Sequence, residues 1–322
     1  MKKQPTPPTL VLYHANCQDG FMACYVAHLA LGHTREDITY QAVRYNEPLP
    51  DLTNKEVFIL DFSYKPELLI EAAKTAHSVV MLDHHKTAMQ DWEGYTPALR
   101  DGEVNDEGQL ETLLDKQNDN LEVSIRMRQS GAGMAWDYFD RELFTNERLG
   151  PRTIQVLRLL VRAVEDRDLW LFEHANTKLL CAALSVVPQT FEAYGDFVRN
   201  VRPDDMLKQG EGVLKHNENL AASIAKRAQL VIFEGHEVPL VNCNKEHTSI
   251  VGHALSADKP FAVLYEFQGT TASVSMRSRD EGQDVSAIAC QYGGGGHRNA
   301  AAFTLSMTEF MALFFTLSVA CD

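Results

Sequence analysis

Three apolar runs in the first 85 residues each end in acidic or imidazole side chains, and no other feature constrains the fold as tightly. TLVLYH (9–14) runs into His14 and then the polar NCQDG. EVFILDFSY (56–64) holds a strand ending at Asp61, with Ser63 just beyond it, and SVVMLDHH (78–85) closes on Asp83, His84 and His85. Continuous runs of this length and β-branched content read as strands buried on both faces. FMACYVAHLAL (21–31) and KPELLIEAAKTA (65–76), the latter with Pro66 in the first helical turn, separate them as helices. Strand–helix–strand alternation predicts an α/β domain with a parallel, doubly wound sheet, and such sheets gather their ligands beyond the strand C-termini.

The stretch 95–123 turns polar and acidic and reads as an excursion or loosely packed helical insert. QSGAGMAWDYFDREL starts a helix behind Ser130, and PRTIQVLRLLVRAVEDRDLW is a helix with Pro151 near its start. An amphipathic helical stretch follows, and beyond about residue 228 short β-type runs such as FAVLYEF (261–267) and TASVSMRS (271–278) take over. SMTEFMALFFTLSVA reads as a closing helix. The expected division is 1–200 for the first domain, 201–228 for a helical linker and 229–322 for a smaller α/β domain, with a cleft between the two domains.

Composition narrows the functional classes. A formal charge of −14 disfavours a protein that coats long duplex nucleic acid, since that binding draws on many Lys and Arg contacts to phosphate. It fits carboxylates gathered around divalent cations and a small phosphorylated substrate, although most of these charges are simply an acidic surface. Six cysteines without a CxxC pair point away from zinc modules and disulfide frameworks. MKKQPTPPTL lacks the apolar run of a signal peptide, and no apolar stretch reaches membrane-spanning length, so the expectation is a soluble cytoplasmic protein without a membrane partner.

Four segments carry candidate chemistry: His14 to Gly20, Asp61-Phe62-Ser63, Asp83-His84-His85, and Glu165-Asp166-Arg167-Asp168 before Trp170. A fifth, Gly293-Gly294-Gly295-Gly296-His297-Arg298, lets a backbone approach an anion and adds charged donors. Small residues and an aromatic follow the glycines, unlike the Ser-rich filler of a linker.

In order and context these segments resemble the DHH phosphoesterases, whose relatives include the RecJ exonuclease, nanoRNases, cyclic dinucleotide phosphodiesterases and manganese-dependent pyrophosphatases. The resemblance covers nearly the whole chain. It implies that Asp61 bridges two metal ions, that His14 serves one of them, and that Asp19, His84 and Asp166 serve the other. His85 then faces the substrate as a catalytic residue, and Asp83 orients the neighbouring imidazoles. Asp166 and Asp168 compete for the fourth position. Carboxylate and imidazole ligands suit two Mn²⁺ ions, with Mg²⁺ or Co²⁺ as substitutes.

The chain departs from the usual Asp-x-Asp-Gly of the first motif, reading Cys17-Gln18-Asp19-Gly20. Cys17 either ligates a softer ion or stands by while water fills the place. The glycine run resembles the DHH-associated domain, and by that resemblance Arg277, Ser278, Gly293, Gly294, Gly295, Gly296, His297 and Arg298 grip a substrate phosphate. The expected activity is hydrolysis of phosphodiester bonds in short oligonucleotides or dinucleotides. A phosphomonoesterase, exopolyphosphatase or pyrophosphatase is the alternative enzyme, and a nucleotide- or RNA-binding protein the alternative without catalysis. Homodimerisation stays open.

Overall fold

The computed structural model describes residues 6–45, 47–93, 112–118 and 120–315. The chain divides into two compact units, the first ending at Leu214 and the second beginning at Lys215.

In the first unit the strands are β1 (Thr9–His14), β2 (Ile38–Val43), β3 (Glu56–Leu60), β4 (Ser78–Asp83), β5 (Thr112–Asn118) and β6 (Leu121–Arg126). They form one sheet in the order β2-β1-β3-β4-β6-β5, in which all neighbours are parallel except β5 and β6. The helices are α1 (Gln18–Leu31), α2 (Pro66–Ala73), α3 (Lys86–Glu93), α4 (Gly131–Thr145), α5 (Pro151–Asp168), α6 (Thr177–Ser185), α7 (Phe191–Asn200) and α8 (Pro203–Ala225). Successive strand residues point to opposite faces, so each apolar run feeds two cores. Val11, Phe58, Leu60, Val80 and Leu82 pack with α1 and α4 to α7. Leu10, Leu12, Val57, Ile59, Val79 and Met81 pack with α2 and α3 on the other face. This is the doubly wound α/β sheet that the apolar runs predict.

Three strands of the first unit escape the sequence reading. β2 borders only β1 and is largely exposed, so ITYQAV lacks the apolar run that marks its neighbours. The polar segment expected as a loosely packed helical insert is instead, where described, the antiparallel pair β5 and β6. Leu121, Val123 and Ile125 of β6 alternate into the second core, a period-2 pattern masked by the acidic residues around it. The rest of that insert, 94–111, lies outside the described residues, as does the end of the expected closing helix beyond Phe315. No helix among the described residues is long and apolar enough to cross a membrane.

The second unit holds β7 (Gln229–Phe233), β8 (His236–Asn242), α9 (Thr248–Leu255), β9 (Ala262–Gln268), β10 (Thr271–Arg277), α10 (Val285–Gln291), β11 (Gly295–His297), β12 (Ala300–Ser306) and α11 (Met307–Phe315). Its sheet runs β11-β12-β10-β9-β8-β7 and is antiparallel except for β8 beside β9, which α9 connects. Val263, Val274, Met276, Phe303 and Phe310 fill one side. The division of the chain falls within α8, which occupies most of the expected linker.

Candidate metal centre

The candidate residues meet because of strand order. From β1 the chain passes through α1 to β2 on one side, whereas β3 lies on the other, so β1 and β3 flank the point where the winding reverses. Tyr13 is level with Leu60, and Leu60 with Leu82, which brings His14, Asp61 and Asp83 to adjacent strand ends. Asp61 leaves β3 with φ of +56°, a left-handed conformation that aspartate tolerates better than most residues. It remains tied to the sheet through its N–H, which donates to the Leu82 carbonyl at 2.9 Å.

Two clusters of ligand-type atoms form there and share one residue. His14, Asp61 and His85 bring one ligand atom each within 4.8 Å of one another, and so do Asp19, Asp61 and His84. Three carboxylates converge on His84 Nε2: Asp61 Oδ1 at 3.0 Å, Asp168 Oδ2 at 3.4 Å and Asp19 Oδ2 at 3.6 Å. Asp83 is fully buried, and its Oδ1 accepts from the His84 backbone N–H at 2.8 Å and meets His85 Nδ1 at 2.7 Å. That contact fixes the His85 ring and leaves its Nε2 directed elsewhere.

Asp19 sits at the N-terminus of α4. Its Oδ1 accepts from Ser130 Oγ at 2.7 Å and Ala132 N at 3.0 Å, and its Oδ2 accepts from Gly131 N at 2.7 Å. The unpaired N–H groups and dipole of a helix start favour a carboxylate. Gly131 is required here, because a Cβ would lie 2.4 Å from Asp61 Cβ and 2.9 Å from Asp19 Oδ2. From the sequence, Ser130 and Gly131 are expected to start a helix near the metals without a role of their own; nothing local in QSGAG announces their hold on a carboxylate more than a hundred residues away.

The run Glu165-Asp166-Arg167-Asp168 ends α5, and helical geometry separates its acids. At 100° per residue, Glu165 and Asp168 lie within about 60° of each other, whereas Asp166 points about 160° away from Asp168. Glu165 Oε2 accepts from the Ser130 N–H at 3.1 Å, on the side of the centre. Asp166 faces away, accepting from the N–H groups of Glu173 at 2.9 Å and His174 at 3.1 Å and from the Thr177 hydroxyl. The structure therefore gathers His14, Asp19, Asp61, Asp83, His84 and His85, but places Asp168 beside them rather than Asp166, which instead pins the turn into α6.

The charges gathered at this point act against one another. Burial disfavours the His84 imidazolium, yet the Asp61 hydrogen bond and the charges of Asp168, Asp61 and Asp19 outweigh it and raise the pKa to about 10. Burial and the charges of Asp61 and Asp168 push the Asp19 carboxyl well up against the opposing effects of His84 and Ser130. Asp61 would also rise on burial, but His14 and His84 hold it well below the usual range. Burial, then the charges of Asp61, Asp168 and Asp19, raise the Cys17 thiol well above normal. Neither three-residue cluster includes Cys17. His14 Nδ1 and Asp61 Oδ2 face each other at 3.4 Å, both buried and neither making a hydrogen bond. Buried carboxylates and an unbonded donor pair of this kind fit hard or borderline divalent cations.

In the second unit the glycine run is only partly a loop. Gly293 and Gly294 lie just beyond α10, their N–H groups donating back to the Cys290 and Ala289 carbonyls, whereas Gly295 and Gly296 belong to the edge strand β11, paired with Ala302 and Ala301. Gly296 has φ of +138°, and a Cβ there would meet the Ala300 carbonyl at 2.5 Å. His297 and Arg277 are both level with Ala300, so they occupy one end of the sheet. Ser278 Oγ donates to Asn299 Oδ1 at 3.1 Å. The Arg298 guanidinium donates to Asn299 Oδ1 and to the carbonyls of Arg279 and Gly282, which braces the 279–282 loop.

Comparisons with known proteins agree with this architecture. No protein-family model matches the chain. The uncharacterised protein R106 of Acanthamoeba polyphaga mimivirus is 27% identical over 318 residues, spanning 92% of this chain and 67% of the relative. A solved DHH domain, from a protein described as a member of a family of ribosomal proteins, superposes with a TM-score of 0.57 at 14% identity, over 95% of this chain and 84% of the other. RecJ from Thermus thermophilus, solved in complex with Mn²⁺, gives 0.51 at 14% identity over 95% of this chain and 51% of its own, so the chain spans about half of RecJ. The fold is that of the DHH-domain proteins.

Proposed function

We propose that the chain is a metal-dependent phosphoesterase that hydrolyses phosphodiester bonds of short oligonucleotides or dinucleotides. The observation that carries this reading is Asp61, one carboxylate shared by two clusters of metal-ligand type at the sheet's reversal point. His14 and Asp61 would hold one divalent ion, and Asp61, Asp19, His84 and Asp168 a second, with Mn²⁺ the favoured species. When bound, such ions supply positive charge at the phosphoryl oxygens and acidify a coordinated water.

The chain's own residues do the remaining work. The α4 N-terminus holds Asp19 in place, so that its carboxylate does not have to be ordered at each turnover. Asp83 fixes His85 through Nδ1, leaving Nε2 to face the substrate and hold or release a proton there. Arg277, Ser278, Gly293, Gly294, Gly295, Gly296, His297 and Arg298 are proposed to bind a substrate phosphate. RecJ's solution with Mn²⁺ supports the choice of ion.

The test is release of mononucleotide from dinucleotides and short oligonucleotides by the purified full chain, with Mn²⁺ and again after chelation. The expected result is release that depends on the metal and is lost on chelation. Tight nucleotide binding without release of any product would instead make the chain a binding protein. Release of phosphate from polyphosphate alone would move it to the anhydride-cleaving class.

A further inference from the structure

We infer that Tyr45 is a stacking platform for the nucleobase attached to the phosphate at the metal centre, and so a determinant of specificity for nucleotides over other phosphoesters. The inference rests on the phosphoesterase reading for the position of the phosphate. Its own basis is the placement of one exposed ring.

β2 runs parallel to β1 with Val43 level with His14, and the Ala15 N–H donates to the Val43 carbonyl at 2.9 Å. The chain leaving β2 therefore emerges at the strand ends that carry the centre. The Glu47 N–H donates to the Arg44 carbonyl at 3.2 Å. The Arg44 N–H and guanidinium both reach the Glu47 carboxylate, at 3.1 and 3.2 Å. Tyr45 follows Arg44 directly.

Its ring lies against Phe62, with centroids 4.7 Å apart and planes inclined by 32°, and Phe62 is itself buried immediately after Asp61. Edge-on contacts place it 5.7 Å from His14 and 6.2 Å from His85. Yet Tyr45 remains 46% exposed. Single exposed apolar residues are ordinary on a protein surface. This one is different because it is backed by a buried aromatic and set one ring's distance from two imidazoles of the centre. A planar group laid on its open side completes an aromatic stack beginning at Phe62, and within one nucleotide of a phosphate at the centre that planar group is the base. Every base offers a π-face, so the platform selects nucleotides without selecting sequence.

Stacking of one base on an aromatic side chain changes affinity by about 5- to 150-fold. Binding of adenosine 5′-monophosphate and of ribose 5-phosphate to the full chain, each with Mn²⁺, measures the base's contribution directly. The wild type should bind adenosine 5′-monophosphate at least about tenfold more tightly. Tyr45→Phe should keep that preference, and Tyr45→Leu should remove most of it while ribose 5-phosphate binding stays unchanged. A wild type that binds the two ligands equally overturns the inference. So does a Tyr45→Leu variant that keeps the preference, or a Tyr45→Phe variant that loses it, which would assign the effect to the hydroxyl. Hydrolysis, measured separately, reports on the phosphoesterase reading: base preference without turnover sinks that reading, and turnover without base preference sinks this one.

Discussion

Asp61→Ala should abolish metal-dependent hydrolysis, lowering the rate by at least about a thousandfold, on the order of 4 kcal/mol of transition-state stabilisation. Both ligand clusters contain this carboxylate, and no other described residue belongs to both. Removing it dismantles two sites at once, whereas loss of His14 or Asp19 leaves one cluster intact. Mn²⁺ should raise the melting temperature of the wild type, and the substitution should abolish that rise, because a ligand stabilises only the state that binds it. Initial rates on a dinucleotide and thermal melts with and without Mn²⁺ check both halves. A variant that keeps its rate within tenfold would show that Asp61 does not share two ions.

The second large effect separates two neighbouring aspartates. Asp168→Ala should reduce Mn²⁺ affinity and lower the hydrolytic rate by about a hundredfold or more, with little loss of metal-free stability, since its carboxylate is partly exposed and lies among like charges. Asp166→Ala should do the reverse. It removes a buried carboxylate that accepts from two backbone N–H groups and a hydroxyl. Charge-assisted bonds to a buried group contribute about 1.5–3 kcal/mol each, so a loss of about 2–5 kcal/mol of folding stability is expected while the remaining folded protein still binds Mn²⁺. Denaturant melts and Mn²⁺ titrations on the two variants distinguish these roles. Equal loss of metal affinity in both would undo the helical argument that sets them on opposite sides of α5.

The strand ends are legible in the sequence because burial on both faces leaves a long apolar run, and the first polar residue after it marks where the strand leaves the core. That is why His14, Asp61 and Asp83 stand out before any coordinates. β2 is not legible, since an edge strand exposes most of its side chains and TYQA carries no such run. The choice within Glu165-Asp166-Arg167-Asp168 is open for a different reason. Residue type and spacing permit either aspartate, and only the rotation of α5 about its axis decides which one meets His84. The grip of Ser130, Gly131 and Ala132 on Asp19 is a long-range contact between two helix starts, invisible in either segment alone. The glycine run is visible as a conformational signal, but its entry into an edge strand depends on pairing with β12 across a two-residue turn.

Anomalous diffraction from crystals of the full chain grown with Mn²⁺ tests the central claim most directly. Two manganese peaks are predicted, both in direct contact with Asp61, one also touching His14 and the other Asp19, His84 and Asp168. Manganese absent from these residues, or bound at a site that leaves Asp61 untouched, would contradict the account.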